Sequence, residues 1–401
     1  MENIKFEVIK KIGETNFKIK NFSNIYQLDS TSPPSIFIGS KLPYPMVNVG
    51  ILSPLERDEN AWLYDDAKFW AENNFSINDV SKIRESLLNS RFRSNVNDAK
   101  VNKKFVGIAQ EIAMASKPVD VEIELKKGLD FDKQKDRVLT PHGMKAGLKK
   151  AKITSNVKIH RKVEKMTSGD YKASEGIKYL YKSNFNEYTL NKILSVGVLG
   201  LRQNKKLVPT RWSITATDDT IGKMLIEQVK EHKIIENYEL LFGEFLGNQY
   251  LILLFPNVFS FELFELYLPG SSWNPSLGIK ASTDFESYFG RKDYASSTAG
   301  GYYATRLPIL EYLNSIKRQA CALVIRIETP SYWAALGVWV CREAIRKALN
   351  KKSMDFNSRE ELLNAAKQIG KVKFNFDSSV ILKRSRILNE VLAQKRLENW
   401  F

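Results

Sequence analysis

The apolar positions of this chain change period several times, and each change predicts an element. Val119-Asp120-Val121-Glu122-Ile123-Glu124-Leu125 alternates strictly, which predicts a strand with one face in water. Asn248 to Leu254 and Phe259 to Leu268 are short apolar runs that predict two buried strands turning around Pro256-Asn257, and Ala322 to Ile327 predicts another. Between Thr31 and Gly50, β-branched runs separated by Pro and Gly predict strands joined by shaped loops. Helical spacing covers much of 61–115, with Asn78 placed to cap a segment through Asn89 and the periodicity resuming from Val101 to Ala115. Further helices are predicted over 175–200, Thr220 to His232, Tyr302 to about Gln319, about Tyr332 to Leu349, and Val380 to Ala393. Leu336, Trp339, Val340 and Ile345 form the buried side of the Tyr332–Leu349 segment. Helices and strands mix irregularly without a repeat, so the expected class is α+β: a mixed α/β two-domain body with a flexible C-terminal tail.

Composition narrows the class of partner. The 401 residues suffice for a large core and point to two domains. Basic residues number 61 against 45 acidic, a net charge of +16, which suits a polyanion such as nucleic acid. From Lys145 to Lys165, eight Lys or Arg face a single acidic residue, Glu164. Lys149, Lys150, Arg161 and Lys162 in this run are candidates for phosphate contact; the plainer reading is a solvated surface. The only cysteines, Cys321 and Cys341, lie in apolar stretches and read as buried small hydrophobes, with no spacing for a zinc ribbon or iron–sulfur cluster. Three histidines, His142, His160 and His232, stand far apart without ligand spacing. The amino terminus lacks an apolar stretch of signal-peptide length, and the most hydrophobic segment, Tyr250 to Leu268, is broken by Pro256, Glu262 and Glu265. The expectation is a cytoplasmic, nucleoid-associated protein with no membrane partner.

Two motifs in the body are candidates for chemistry. Asp218 and Asp219 enter the predicted Thr220–His232 helix behind Arg211-Trp212-Ser213. Adjacent carboxylates there suit a divalent metal completed by ligands from elsewhere, with Arg211 gripping a phosphate as a catalytic partner. The competing reading is helix capping, which Asp favours. Gly300-Gly301 opens the next predicted helix, where free N–H groups form a phosphate seat, and Arg306 adds a donor. A glycine-rich turn needed for backbone geometry explains the same pair. The full Walker pattern is absent, so an ATPase is not supported. The Ser32-Pro33-Pro34-Ser35 loop is rigid and polar, and belongs to the same cleft if the motifs converge. The loop-rich stretch from Gly270 to Gly301 reads as a functional loop or a domain junction.

The last eight residues carry the sharpest signal. Gln394, Leu397, Trp400 and Phe401 stand at the spacing Q-x-x-L-x-x-W-F, ending on the final residue. Termini fray, and folding does not ask for two aromatics there. In one tight turn Leu397 and Trp400 share a face with Phe401 beside them. The segment resembles the PCNA-interacting peptide, by which replication and repair proteins dock on the sliding clamp. Together with Ser32-Pro-Pro-Ser-Ile-Phe-Ile-Gly39, Val208-Pro-Thr-Arg-Trp-Ser-Ile-Thr215, Gly300-Gly-Tyr-Tyr-Ala-Thr-Arg306 and Leu336-Gly-Val-Trp-Val-Cys-Arg-Glu-Ala344, it resembles the archaeal Nre proteins over nearly the whole chain. That resemblance implies an N-terminal-type domain over 1–268, a C-terminal-type domain over 269–392 and a clamp-binding tail over 393–401. It implies a DNA-repair role, with the PCNA clamp and DNA as partners. Many relatives open with a four-cysteine zinc module, whereas no cysteine precedes Cys321 here. Three readings follow: a clamp-recruited repair factor, a metal-dependent nuclease or phosphodiesterase using Asp218, Asp219 and Arg211, and a non-enzymatic nucleotide-binding adaptor.

Overall fold

The computed structural model describes residues 26–101, 103–126 and 138–391. The class is α+β, and the chain forms two compact units, 1–220 and 221–401. The clamp-like tail, 394–401, lies outside the described residues.

The first unit is built on a six-stranded sheet in the order β1-β5-β6-β4-β3-β2. Its strands are β1 (Gln27–Ser32), β2 (Ile36–Gly39), β3 (Met46–Ser53), β4 (Leu88–Asn95), β5 (Val119–Leu125) and β6 (Lys145–Ile153). The predicted Val119–Leu125 strand is β5, and its odd residues are buried as the alternation demands. Residues 61–115 depart from the expectation. They hold short helices, Ala67–Glu72 and Ile77–Glu85, then β4, then the Lys104–Met114 helix. Ser76, not Asn78, caps the second of these, in a reciprocal capping box with Asp79: Asp79 N–H donates to Ser76 Oγ at 3.2 Å and Ser76 N–H to Asp79 Oδ2 at 2.9 Å. The 175–200 segment is two helices, Ala173–Lys182 and Glu187–Ser195, broken where Asn184 adopts φ +67°.

The Ser32–Ser35 loop turns inward and spends its polar groups locally. Ser32 Oγ donates to the Leu52 carbonyl at 2.7 Å, and the Ser35 carbonyl accepts from Leu52 N–H at 3.2 Å. The helix predicted from Thr220 begins at Thr210 and runs to Lys230, so the division between the units falls inside it.

The second unit adds β8 (Tyr238–Phe245), β9 (Asn248–Phe255), β10 (Ser260–Tyr267), β11 (Lys280–Glu286), β13 (Cys321–Glu328) and β14 (Met354–Phe356), after a two-residue pairing of β7 (Lys233–Ile234) with β12 (Arg318–Gln319). Its sheet order is β11-β10-β13-β9-β8-β14. The two predicted buried strands are β9 and β10, but they do not pair. The parallel crossover through the Ala299–Ser315 helix inserts β13 between them. All three strands are buried along their whole length, as expected of strands covered on both faces. One face packs Leu251, Leu253, Phe264, Leu323 and Ile325 against Leu362 and Ala366 of the Arg359–Phe374 helix, which the periodicity reading missed. Ser358 caps that helix. The predicted Tyr332–Leu349 helix begins only at Trp339. The Val380–Ala393 segment splits into Ser379–Arg384 and a π-helical turn, Ile387–Val391. A buried strand residue, Glu262, holds the start of that turn. Its carboxylate accepts from Ser385 Oγ at 2.6 Å, Arg386 N–H at 3.0 Å and Ile387 N–H at 3.1 Å. Among the described residues, no helix is long and apolar enough to cross a membrane.

Candidate nucleic-acid interface

The first unit presents a sheet face whose two halves differ in charge. On β5 the outward residues are Asp120, Glu122 and Glu124, and β6 answers with lysines. Lys149 and Lys150 both reach Glu124, the second at 3.0 Å, next to a register shift in the ladder. Arg57 lies 2.8 Å from Asp29 and 3.6 Å from Asp120. Lys149 and Lys150 of the predicted phosphate run are thus paired on their own sheet.

The other half is basic. Register places Gly39 opposite Asn48, Phe37 opposite Gly50, Asn48 opposite Arg93, Gly50 opposite Arg91, Asn89 opposite Lys145, and Arg91 opposite Gly147. Directly opposed residues share a face. The glycines leave hollows there, while arginine and lysine side chains wall them. β4 and β6 pair over only three residues, 89–91 with 145–147, and then part. Through that gap the cleft reaches Phe92, Leu148 and Phe105, the last from the helix beneath. The two phenylalanine rings lie 5.4 Å apart at a tilt of 53°. The result is an outer cleft of about 660 Å³ that also takes in Arg93 and Lys126, with an inner recess of about 90 Å³ lined by Lys41, Lys145 and Asn89. Arg91 and Asn48 wall both, and the described lining holds five cations and no acidic side chain.

A short relay fixes one polar atom in the recess. His142 Nδ1 lies 3.0 Å from the Gly143 carbonyl, which can only accept, so Nδ1 carries the proton. Burial pushes the imidazole down to about 4, so it is neutral at pH 7 and Nε2 is an acceptor. Asn89 Nδ2 donates to it at 3.1 Å. That orients the carboxamide with Oδ1 over Gly50, where among the described residues it has no hydrogen-bond partner. A Cβ on Gly50 would lie 1.7 Å from that oxygen. His142 also stands edge-on to Phe37, at 4.8 Å.

This neutral histidine has a stability consequence. Its folded pKa is below the unfolded value of 6.5, so below pH 6.5 the unfolded chain binds a proton that the fold refuses. Stability is expected to fall as pH drops from 6.5 toward 4, by up to about 3 kcal/mol at this site. Denaturant unfolding across that window should show the slope in the wild type and a shallower one in His142→Gln.

The residues singled out in the sequence fall elsewhere. Arg211, Asp218 and Asp219 all lie within the Thr210–Lys230 helix, so neither aspartate caps its start. Asp218 is buried and Asp219 half-buried, pointing about 100° apart on the helix. Among the described residues, no group of three or more His, Cys, Asp or Glu side chains is placed to hold a metal ion.

Gly300 and Gly301 lie in the first turn of their helix and are buried. The anion at that helix start is the protein's own: Asp284 accepts from Thr298 N–H at 2.8 Å and Thr298 Oγ1 at 2.9 Å. A Cβ on Gly301 would meet Glu265 Oε1 at 2.2 Å, so the glycine makes room for a carboxylate. Arg306 is buried in a 2.8 Å ion pair with Glu286. The phosphate seat expected there is occupied from within. Arg161 and Lys162 are exposed in the first turn of the Arg161–Ser168 helix, where His160 accepts from Lys162 N–H at 3.1 Å.

Sequence reasoning missed Asn89, Arg91 and Arg93 because it assigned their segment to a helix. The signal was available: Asn89, Arg91 and Arg93 alternate with Ser90, Phe92 and Ser94, a strand period.

Comparisons with known proteins bear on the whole chain. The model of archaeal Nre, N-terminal, matches residues 3–274, and that of archaeal Nre, C-terminal, matches 286–400. The DNA repair protein NreA of Haloferax volcanii is 43% identical over 328 residues, 80% of this chain and 78% of that one. The DNA repair protein NreA of Archaeoglobus fulgidus is 40% identical over 342 residues, 84% and 83% of the two chains. The DNA repair protein NreB of the same organism is 34% identical over 360 residues, 89% of each. No solved structure matches.

Proposed function

The chain belongs to the archaeal Nre family, and from that premise we propose that it is a DNA-repair factor whose first unit contacts nucleic acid and whose C-terminal tail docks on the PCNA sliding clamp. The DNA-repair names of its relatives support the role. The observation that carries the contact is the cleft between β4 and β6 with its adjoining recess, whose combined described lining holds five cations and an aromatic pair. Cations grip phosphates without regard to sequence, and aromatic rings accept unstacked bases, so the surface suits single-stranded or distorted DNA.

The tail supplies localisation. Gln394, Leu397, Trp400 and Phe401 form the plug, and tethering by it raises the concentration of the basic body at DNA. Glu262 holds the Ile387–Val391 turn, the last described element before the tail in sequence. The division at 268 and 269 that the family resemblance implies lies within the first family match, which ends at 274. We keep it as a proposal beside the compact units that meet at Thr220.

The test separates the two activities. Removal of residues 394–401 is expected to abolish binding to the sliding clamp and to leave the affinity of the body for single-stranded DNA within about threefold. Clamp binding that survives the truncation would overturn the docking role, and failure of the intact chain to bind DNA at low salt would overturn the contact role.

A further inference from the structure

We propose that the recess beside Asn89 is a pocket for a nucleotide bearing a terminal phosphate, rather than part of a track for a continuous phosphodiester chain. The inference rests on the nucleic-acid reading above and sharpens it by naming what enters.

Three features of the recess point to such a ligand. The first is size. At about 90 Å³ it holds a few waters or one phosphate group, and offers no room for a backbone to enter and leave. It adjoins the 660 Å³ cleft through the shared walls Arg91 and Asn48, so a terminal group can sit inside while the rest of the nucleotide lies outside. The second is charge. Lys145 is 5% exposed, and with Arg91 and Lys41 it gives the recess three cations. Burial strengthens the attraction of Lys145 for an anion over that of a surface lysine. A terminal phosphate carries up to two negative charges against one for a diester, so the recess favours the end.

The third feature is the unpartnered Asn89 Oδ1, on a side chain 2% exposed. The relay from Gly143 through His142 fixes it as an acceptor. Buried acceptors without donors are costly, and fully ionised phosphate has no donor to give. A terminal phosphate that keeps its second proton, with a pKa of about 6, has one, and a diester has none. The Phe92–Phe105 pair in the outer cleft gives the base of the nucleotide an apolar wall. One ligand therefore satisfies the cations, the acceptor and the aromatic pair together. It is a nucleoside monophosphate unit, whether free or at the end of a strand.

Fluorescence anisotropy of the full chain with one labelled single strand, carrying either a 5′-phosphate or a 5′-hydroxyl, tests this. The phosphorylated end is expected to bind at least about tenfold more tightly, the worth of one charge-assisted hydrogen bond. The ratio of the two affinities should fall toward one in Arg91→Gln, in Asn89→Leu and in Lys41→Gln, the last an exposed position where folding is not at stake. Competition assigns the source. A deoxynucleoside 5′-monophosphate that displaces the strand at its own Kd upholds the pocket as one for free nucleotides, and displacement only by phosphorylated strands upholds it as one for strand ends. Inorganic phosphate should compete at least about tenfold less well than the nucleotide. Equal binding of the two strands, both weakened by Arg93→Gln, would overturn the terminal pocket while leaving the nucleic-acid contact in place. Binding of neither strand would overturn the contact reading itself.

Discussion

Arg326→Leu is expected to cost the second unit about 3–5 kcal/mol, the range for breaking a buried ion pair by removing one partner. The guanidinium lies on β13 in the centre of the sheet and serves three acceptors at once. Its Nη1 donates to Glu265 Oε1 at 2.6 Å, Nη2 to Glu328 Oε2 at 3.0 Å, and Nε and Nη2 to Asn248 Oδ1 at 2.9 and 2.6 Å. The carboxylate side chains are 3% and 0% exposed, so water cannot replace the lost donors. Leucine would leave two buried carboxylates without their shared counter-charge. For a unit of this size the loss corresponds to a fall in Tm of about 6–20 °C. Adding Glu265→Gln to the leucine variant should recover part of it by removing one stranded charge, and lysine at 326 should do better than leucine but keep only a single point of contact. A leucine variant that melts with the wild type would show that the triad does not hold this sheet together.

That triad also shows what was legible in the chain and what was not. The strands that carry it were plain, because a run such as Ala322 to Ile327 can be nothing but buried. Their neighbours were not. β9 and β10 are close in sequence, yet β13 lies between them, and only the crossover through the Ala299–Ser315 helix brings it there. Long-range pairing of that kind has no local signature. Glu265 interrupts an apolar run and Arg326 sits within one, and their partnership is visible only once β10 and β13 lie side by side. Helix boundaries failed for a local reason. Asp218 and Asp219 are helix-start residues by type, but Thr210 to Lys230 continues through them, because tertiary packing outweighs the few tenths of a kcal/mol by which aspartate disfavours a helix interior.

The charge run from Lys145 to Lys165 is one block in the sequence, and the structure divides it. Lys145 sits in the recess, Lys149 and Lys150 share Glu124, and Arg161 and Lys162 lie on a separate helix start. Net charge is additive along a sequence, but the field at a phosphate depends on which acids lie across the sheet.

From this division we expect Arg91→Glu/Arg93→Glu to weaken single-stranded DNA binding by at least about a hundredfold at low salt, since each arginine is counted as one charge-assisted contact of about 1.5–3 kcal/mol. The two residues alternate on one face of β4, and both wall the outer cleft. Losing two phosphate contacts should also flatten the dependence of log K on log salt by about 1.4, which separates lost contacts from misfolding. Lys149→Gln/Lys150→Gln removes the same number of positive charges from the next strand. It should weaken binding by less than about threefold, because both ammonium groups already spend their field on Glu124. The salt slope decides the matter. If the lysine pair flattens it as much as the arginine pair does, the strand reads DNA as a diffuse basic surface, and the cleft between β4 and β6 has no special part in it. If only the arginine pair does, the contact is set by where the two strands part, three residues into their pairing.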